Sequence, residues 1–389
     1  MSLNSISGRI VFILLFVIAA PLMAGDNPSI NLDWYGYVKL DASYDQNVTS
    51  HGNFAMWVLQ RQGDEDDAQF NMTHKQTRLG LNARGEGYEN VNVGGKLEFD
   101  LYGAGGAENK AELLLRHAYL SVQTGQFELL AGQSWDLISP LNPSTLNYPV
   151  MWGCGNFGYR RPQVRFTYTT QPNDETSIRF AGGFFRTIGD DLTPTFSLAT
   201  EVADGSDDGT DAAIPSVQAI VDVNHKFASG ASVRTGVSGL YGELKAEGTL
   251  GTNEKYHNRA VVGHLAVNFA SGFGFAGEAF SGSNLGSYLG GIGNSSSFSG
   301  VRTRGGWAYG WIKAHSKVKV AAGYGVDDPD DDDLSTGNRS RNQSIFGNVQ
   351  VTPVPLFTVG LELSRWETDY IDGETARSFR AQTSFQLNF

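Results

Sequence analysis

Cysteine is almost absent from this chain: Cys154 is the one example in 389 residues. An intramolecular disulfide is therefore excluded, and a free thiol packed in a loop is the expected state. Long apolar runs are equally scarce. The run Ile10–Ala20 covers 11 residues, about half of the roughly 20 that a membrane-crossing helix needs. A mean hydropathy of −0.25 leaves no second candidate. Phosphate-cradling loops are missing too, because no helix follows Gly290-Gly291-Ile292-Gly293 or Gly323-Tyr324-Gly325 to supply an N-terminus. The seven histidines, His117 and His264 among them, stand in no catalytic setting, and no EF-hand spacing occurs. No cofactor, metal or nucleic acid is implied.

What is present is alternation. From Arg377 to the last residue, Phe379, Ala381, Thr383, Phe385, Leu387 and Phe389 interleave with Ser378, Arg380, Gln382, Ser384, Gln386 and Asn388. A period of two, apolar against polar, is the pattern of a strand with one face in lipid and one in water. A chain that spans a bilayer without apolar helices must close its strands into a barrel. At the other end, Arg9, the apolar run, Pro21 and Leu22-Met23-Ala24 read as a secretory signal peptide over residues 1–24. Residues 25–389 are then the barrel domain.

Similar alternating runs recur sixteen times, among them Leu32–Tyr44, Lys75–Arg84, Phe127–Gln133, Gln163–Thr169 and Arg377–Phe389. The gaps alternate between tight turns, such as Thr124-Gly125-Gln126 and Ala270-Ser271-Gly272, and much longer segments. The expected fold is all-β: a sixteen-stranded antiparallel transmembrane barrel with short periplasmic turns, long extracellular loops and both termini periplasmic. All 12 prolines fall outside the interiors of these runs.

The faces follow from the alternation. Trp34, Val38, Leu40, Val93, Leu97 and Phe99 belong to the lipid side. Lys39, Asp41, Arg78, Arg84, Lys96, Glu98, Asp100, Arg165, Arg179, Glu278, Glu362 and Arg380 belong to the lumen, since a charge facing mid-bilayer costs roughly 2–4 kcal/mol. Trp34, Tyr168, Trp307 and Tyr309 are candidates for interfacial girdles or for ordinary packing. Sixteen strands enclose a water-filled passage where eight would be plugged by side chains.

Residues 134–162 are rich in proline, asparagine and aromatics and are expected to fold inward as a constriction loop, an extracellular cap being the alternative. Candidate pore and selectivity residues are Arg78, Arg116, Trp135, Asp136, Arg160, Arg161, Arg165 and Arg179, because guanidinium groups hold carboxylates through paired hydrogen bonds. The carboxylates Asp41, Glu98, Asp100, Asp136, Glu278 and Glu362 leave open a second arrangement, a basic wall facing an acidic loop. Much of the −12 net charge lies in expected outer loops, at Asp64–Asp67, Asp190–Asp211 and Asp327–Asp333. We read these as solvated, mutually repelling runs; bridging by divalent cations to lipopolysaccharide phosphates is the alternative.

The chain resembles the DcaP-like trimeric porins of Gram-negative outer membranes. The resemblance rests on Tyr35-Gly36-Tyr37-Val38-Lys39-Leu40-Asp41, Leu115-Arg116-His117-Ala118-Tyr119, Gly132-Gln133-Ser134-Trp135, Arg160-Arg161-Pro162-Gln163-Val164-Arg165, and Gly277-Glu278-Ala279-Phe280 with Asn284-Leu285-Gly286-Ser287-Tyr288-Leu289-Gly290-Gly291. It implies a homotrimer in outer-membrane lipid and lipopolysaccharide, a basic constriction reached by the loop after the fifth strand, and small anionic solutes such as dicarboxylates. Members can carry a periplasmic N-terminal coiled coil, for which this chain leaves only about seven residues. Two other classes remain: a general or cation-preferring porin, and an adhesive barrel using loops 51–72, 186–214 and 282–302. A hydrolase on a barrel is disfavoured by the lack of a nucleophile–base setting.

Overall fold

Polar and apolar side chains alternate along nearly every strand because each strand has lipid on one side and a packed or wet interior on the other. A computed structural model describes residues 30–61, 67–86, 90–103, 110–189, 208–247, 253–295 and 300–389. The expected signal peptide, most of Asp64–Asp67 and Asp190–Asp207 lie outside the described residues.

The wall begins with β1 (Ile30–Asp45), β2 (Gln69–Thr73), β3 (Arg78–Glu86), β4 (Val91–Asp100), β5 (Leu114–Thr124) and β6 (Phe127–Trp135). It continues through β7 (Arg160–Asn173), β8 (Thr176–Phe185), β9 (Ser216–Lys226), β10 (Ser232–Glu247), β11 (Asn253–Asn268) and β12 (Phe273–Ser283). It ends with β13 (Arg302–His315), β14 (Val318–Pro329), β15 (Arg339–Val354), β16 (Phe357–Tyr370) and β17 (Ala376–Asn388). Every pairing is antiparallel, and β17 closes on β1 with Tyr37 opposite Asn388 and Asp45 opposite Arg380. Closure removes the free edges that a sheet in lipid cannot leave unpaired.

Seventeen strands make a sixteen-stranded wall because β2 and β3 are halves of one. Asp41–Asp45 pair with β2 and Ile30–Tyr37 pair with β3, so three residues of β1 face the four residues His74–Thr77. The extra residue interrupts the ladder as a bulge does, and Thr77 Oγ1 covers the break by bonding to Lys39 N at 3.1 Å. Lys75–Arg84 was expected as one uninterrupted strand; the bulge corrects that.

The outer face is as the alternation requires. Trp34, Val38, Leu40, Val93 and Leu97 are exposed, as are Phe379, Phe385 and Leu387, while Ser378, Arg380, Gln382 and Ser384 are buried. Two aromatics depart from the girdle reading. Trp307 stands opposite Glu278 and packs with Tyr309 in an interior cluster containing Met151, Cys154, Phe346 and Trp366.

Strands also run further than their apolar alternation. β7 starts at Arg160, so Arg160 and Arg161 are wall residues, and Trp135 is the last residue of β6; the loop proper is 136–159. Pro162, Pro172 and Pro353 therefore lie inside strands, against expectation. Pro162 is tolerated because pairing with β8 starts one residue later at Gln163, and its carbonyl still accepts from Arg186 N at 2.9 Å. Asp327 and Asp328 belong to β14, and Asp327 is fully buried against Thr303. Arg304 holds Asp328, and Arg302 holds Asp330 and Asp333, so this acidic run is compensated rather than freely repelling.

Candidate functional site: a loop-lined passage through the barrel

Residues 136–159 cross the interior and are fastened strand by strand. Gln218 on β9 accepts from Leu137 N at 2.8 Å, and Ser238 on β10 donates to the Ile138 carbonyl at 2.5 Å. Glu278 on β12 accepts from Leu141 N at 2.8 Å and from the Ser139 hydroxyl. Glu362 on β16 takes Leu146 N at 2.7 Å and Asn147 N at 3.2 Å, while Asn348 on β15 donates to Ser144 O. Lys39 and Gln382 both donate to Leu146 O, across the β1–β17 closure. Wall carboxylates thus serve as acceptors for loop amides that have no sheet partner, each such charged bond contributing about 1.5–3 kcal/mol.

Further on, the loop lies directly on β13 and β14. A Cβ at Gly155, whose φ is +94°, would sit 2.1 Å from Gly306 O, and one at Gly325 would sit 2.2 Å from Cys154 O. Only glycine permits that approach.

Two other segments fill the loop-side half of the barrel. Residues 54–58 are buried, with Asn342 donating to Met56 O and Asn147 bonding Ala55 in both directions. Leu285, Tyr288 and Ile292 are buried too, and Gly158 N and Gly153 N donate to Tyr288 O and Leu289 O. Parts of loops 51–72 and 282–302, grouped above as outward loops, are interior packing. This also corrects the wet lumen: Lys39, Asp41, Asp100, Glu278, Glu362 and Arg380 are each buried, and Glu98 is buried among wall side chains.

The loop is tied mainly to β9, β10, β12, β15–β17 and β1, and the open space lies against β1 and β3–β6, where the Tyr148 hydroxyl reaches across to Asp100 at 3.2 Å. There an open cavity of about 390 Å³ is lined on the wall by Tyr37, Gln76, Arg78, Lys96, Glu98, Arg116, His117 and Trp135, and on the loop by Asn142, Tyr148, Val150 and Trp152. Arg116 donates from Nε to Glu98 at 2.7 Å and from Nη1 to Asp100 at 2.6 Å. Arg78 and Lys96 reach Glu98 at 3.7 and 3.5 Å, and the Tyr35 hydroxyl donates to it at 2.6 Å. The carboxylates and Arg116, itself 5% exposed, are sunk behind Arg78 and Lys96. Glu98 and Asp100 side chains are 5% and 0% exposed, against 22% for Arg78 and 25% for Lys96. The loop side carries no charge, so an acidic loop facing a basic wall is absent from this cavity.

The eight sequence candidates divide accordingly. Arg78, Arg116 and Trp135 meet at the cavity. Arg160 is buried, stacked between Trp135 and Tyr159 with centroids at 4.7 and 4.5 Å, and does not line it. Arg161 and Asp136 pair at 2.9 Å, fully enclosed. Arg165 and Arg179 stand lower on β7 and β8, Arg179 paired with Asp222 at 2.5 Å. Tyr37, Gln76, Lys96, His117, Tyr148 and Trp152 were not singled out. Lys96 was legible as a lumen lysine; Gln76 reaches the cavity only through the bulge, which leaves no periodic signal.

No protein-family model matches the chain, and no curated protein matches it. Solved structures do. The outer membrane channel DcaP of Acinetobacter baumannii aligns over 92% of this chain and 97% of its own, with a TM-score of 0.72 at 20% identity. An anion-selective porin from Comamonas acidovorans aligns over 93% and 100%, at TM-score 0.58 and 12% identity. OmpT of Vibrio cholerae in its trimer form aligns over 93% and 100%, at 0.54 and 12%. The chain therefore has the porin-like fold of outer-membrane channels, a closed sixteen-stranded antiparallel barrel with an apolar outer face.

Proposed function

We propose that the protein is an outer-membrane porin through which small hydrophilic solutes diffuse passively, with a preference for anions. The observation that carries this reading is the layering at the cavity: Glu98 and Asp100 lie buried behind Arg78 and Lys96, with Arg116 buried beside them as their partner, so the solute meets the Arg78 guanidinium and the Lys96 ammonium first. With three cations and two carboxylates, the site is also net positive. The opposite wall, Asn142, Tyr148, Val150 and Trp152, offers no competing negative surface. Carboxylates suit this arrangement because planar guanidinium groups bind them through two parallel bonds. In this reading residues 134–162 form the constriction, the protein is a homotrimer as OmpT is in its trimer form, and lipopolysaccharide surrounds the outer rim.

The test is the reversal potential of the purified protein in a planar bilayer across a potassium chloride gradient. Anion selectivity that falls in Arg78→Gln and Lys96→Gln supports the reading. Cation selectivity of the unmodified protein overturns the anion preference, and absence of current overturns the channel.

A further inference from the structure

A second group of charges repeats the layered arrangement lower in the barrel. Asp222 on β9 takes Arg179 Nε at 2.7 Å on one oxygen and Arg234 Nε at 3.3 Å on the other. Its side chain is 7% exposed, whereas Arg179 and Arg234 are 28% and 32% exposed. As at the upper cavity, the acid lies behind and the guanidinium groups face the lumen. Gly236 of β10 stands opposite both Asp222 and His264. A Cβ there would lie 2.7 Å from Asp222 Cβ and 2.7 Å from His264 Cε1, so the missing side chain lets the carboxylate and the imidazole converge. His264 is buried, yet neither ring nitrogen has a hydrogen-bond partner among the described residues. Both nitrogens are enclosed, so the imidazole packs behind the guanidinium groups and leaves contact with a solute to Arg179 and Arg234.

The height of this group is set by register. Ser238, whose hydroxyl holds the loop at Ile138 O, is four residues from Arg234 along β10. At about 3.3 Å per residue and a tilt near 40°, Arg234 lies roughly 10 Å on the turn side of the loop. A solute leaving the constriction enters this space next.

We propose that Arg179 and Arg234, positioned by Asp222, form a second anion station on the periplasmic side of the constriction. It would take a small carboxylate or inorganic anion from the Arg78–Lys96–Arg116 cavity and release it to the periplasm. Two sites of moderate strength speed passage where a single strong site would trap the ion. The inference rests on the anion preference proposed above, and Arg234 is its new residue.

The experiment uses the full barrel in planar bilayers, with chloride as the probe anion. Reversal potentials are measured in 0.1 M and 1 M potassium chloride regimes for the unmodified protein, Arg179→Gln/Arg234→Gln and Arg179→Lys/Arg234→Lys. If the unmodified protein is not anion-selective, the functional reading falls and takes the station with it. If it is anion-selective, the glutamine pair is expected to lower the chloride-to-potassium permeability ratio about twofold at 0.1 M and to lose that effect at 1 M, where the Debye length is about 3 Å. The lysine pair is expected to keep the ratio. An unchanged ratio in the glutamine pair, or an equal fall in both pairs, overturns the station while leaving the upper cavity standing.

Discussion

Arg161 and Asp136 meet at 2.9 Å with side chains 0% and 1% exposed, and together they close the stem of the loop. Asp136 also accepts from Tyr159 N at 2.9 Å and Gln218 Nε2 at 2.7 Å, while the Arg161 guanidinium lies 3.7 Å over the Tyr288 ring. A pair this enclosed is a structural joint and contacts no solute. Arg161→Ala leaves a buried carboxylate without its cation, a loss of about 3–5 kcal/mol. The expected outcome is a noisy channel of higher conductance with a lowered unfolding temperature. A clean drop in anion preference at unchanged conductance would instead return Arg161 to the selectivity residues.

Alternation made the wall legible, because lipid forces a period of two on every spanning strand and Phe379, Phe385 and Leu387 could face nowhere else. The layering at the cavity was not legible. Sequence shows that Glu98 and Lys96 share a face but not that Glu98 is sunk beside Arg116 and beneath Arg78, which depends on cross-strand register. Nor does periodicity reveal that Leu285, Tyr288 and Ile292 fold inward, since those positions follow no repeat and are placed by packing, Leu285 and Tyr288 with Phe157 and Phe280, Ile292 with Trp57 and Trp152. Arg160 and Trp135 were assigned to the loop because aromatic and basic residues at a strand's end look like loop residues; their pairing across β6 and β7 is tertiary.

Glu278 and Glu362 hold the loop from β12 and β16, four strands apart on the wall, and neither has a cation within ion-pair distance among the described residues. Their carboxylates are matched instead to loop N–H groups. Replacing both with alanine removes the acceptors of Leu141, Leu146 and Asn147 N–H and of the Ser139 hydroxyl, each bond contributing about 1.5–3 kcal/mol. Conductance in the double variant is expected to rise, and liposome swelling should admit larger neutral sugars. Unchanged swelling rates would mean that the remaining ties, from Gln218, Ser238, Asn348, Lys39 and Gln382 together with the β13–β14 contacts at Gly155, suffice to position the loop.

Cys154 reports on the same loop. Its thiol is buried, donates to Gly325 O at 3.3 Å, and has its pKa pushed well up by burial. A thiol that is both enclosed and protonated is a poor nucleophile. In the folded barrel, modification by a maleimide at pH 7 should be at least tenfold slower than in the denatured chain, and the Glu278→Ala/Glu362→Ala variant should recover part of that rate. Rapid labelling of the unmodified protein would place Cys154 in the open passage and contradict its packing against Trp307 and Phe346.

The segment that packs on the loop from the β1–β2 side carries a pH-sensitive group. His51 stacks on Phe54 at 4.4 Å and meets Trp57 edge-on at 6.0 Å. Burial, reinforced by the nearby Arg339 charge, lowers its pKa to about 4 from 6.5. A depressed histidine pKa means that the unfolded chain binds the proton first. Its contribution to stability is therefore complete above pH 6.5 and is lost as pH falls from 6.5 toward 4. Acidification should loosen residues 50–58, which cover the loop through Ala55 and Asn147. Single-channel records should show closing flicker that grows between pH 6 and pH 4, and His51→Gln should flatten that dependence. Flicker that persists in His51→Gln would assign it to another group and leave His51 as passive packing.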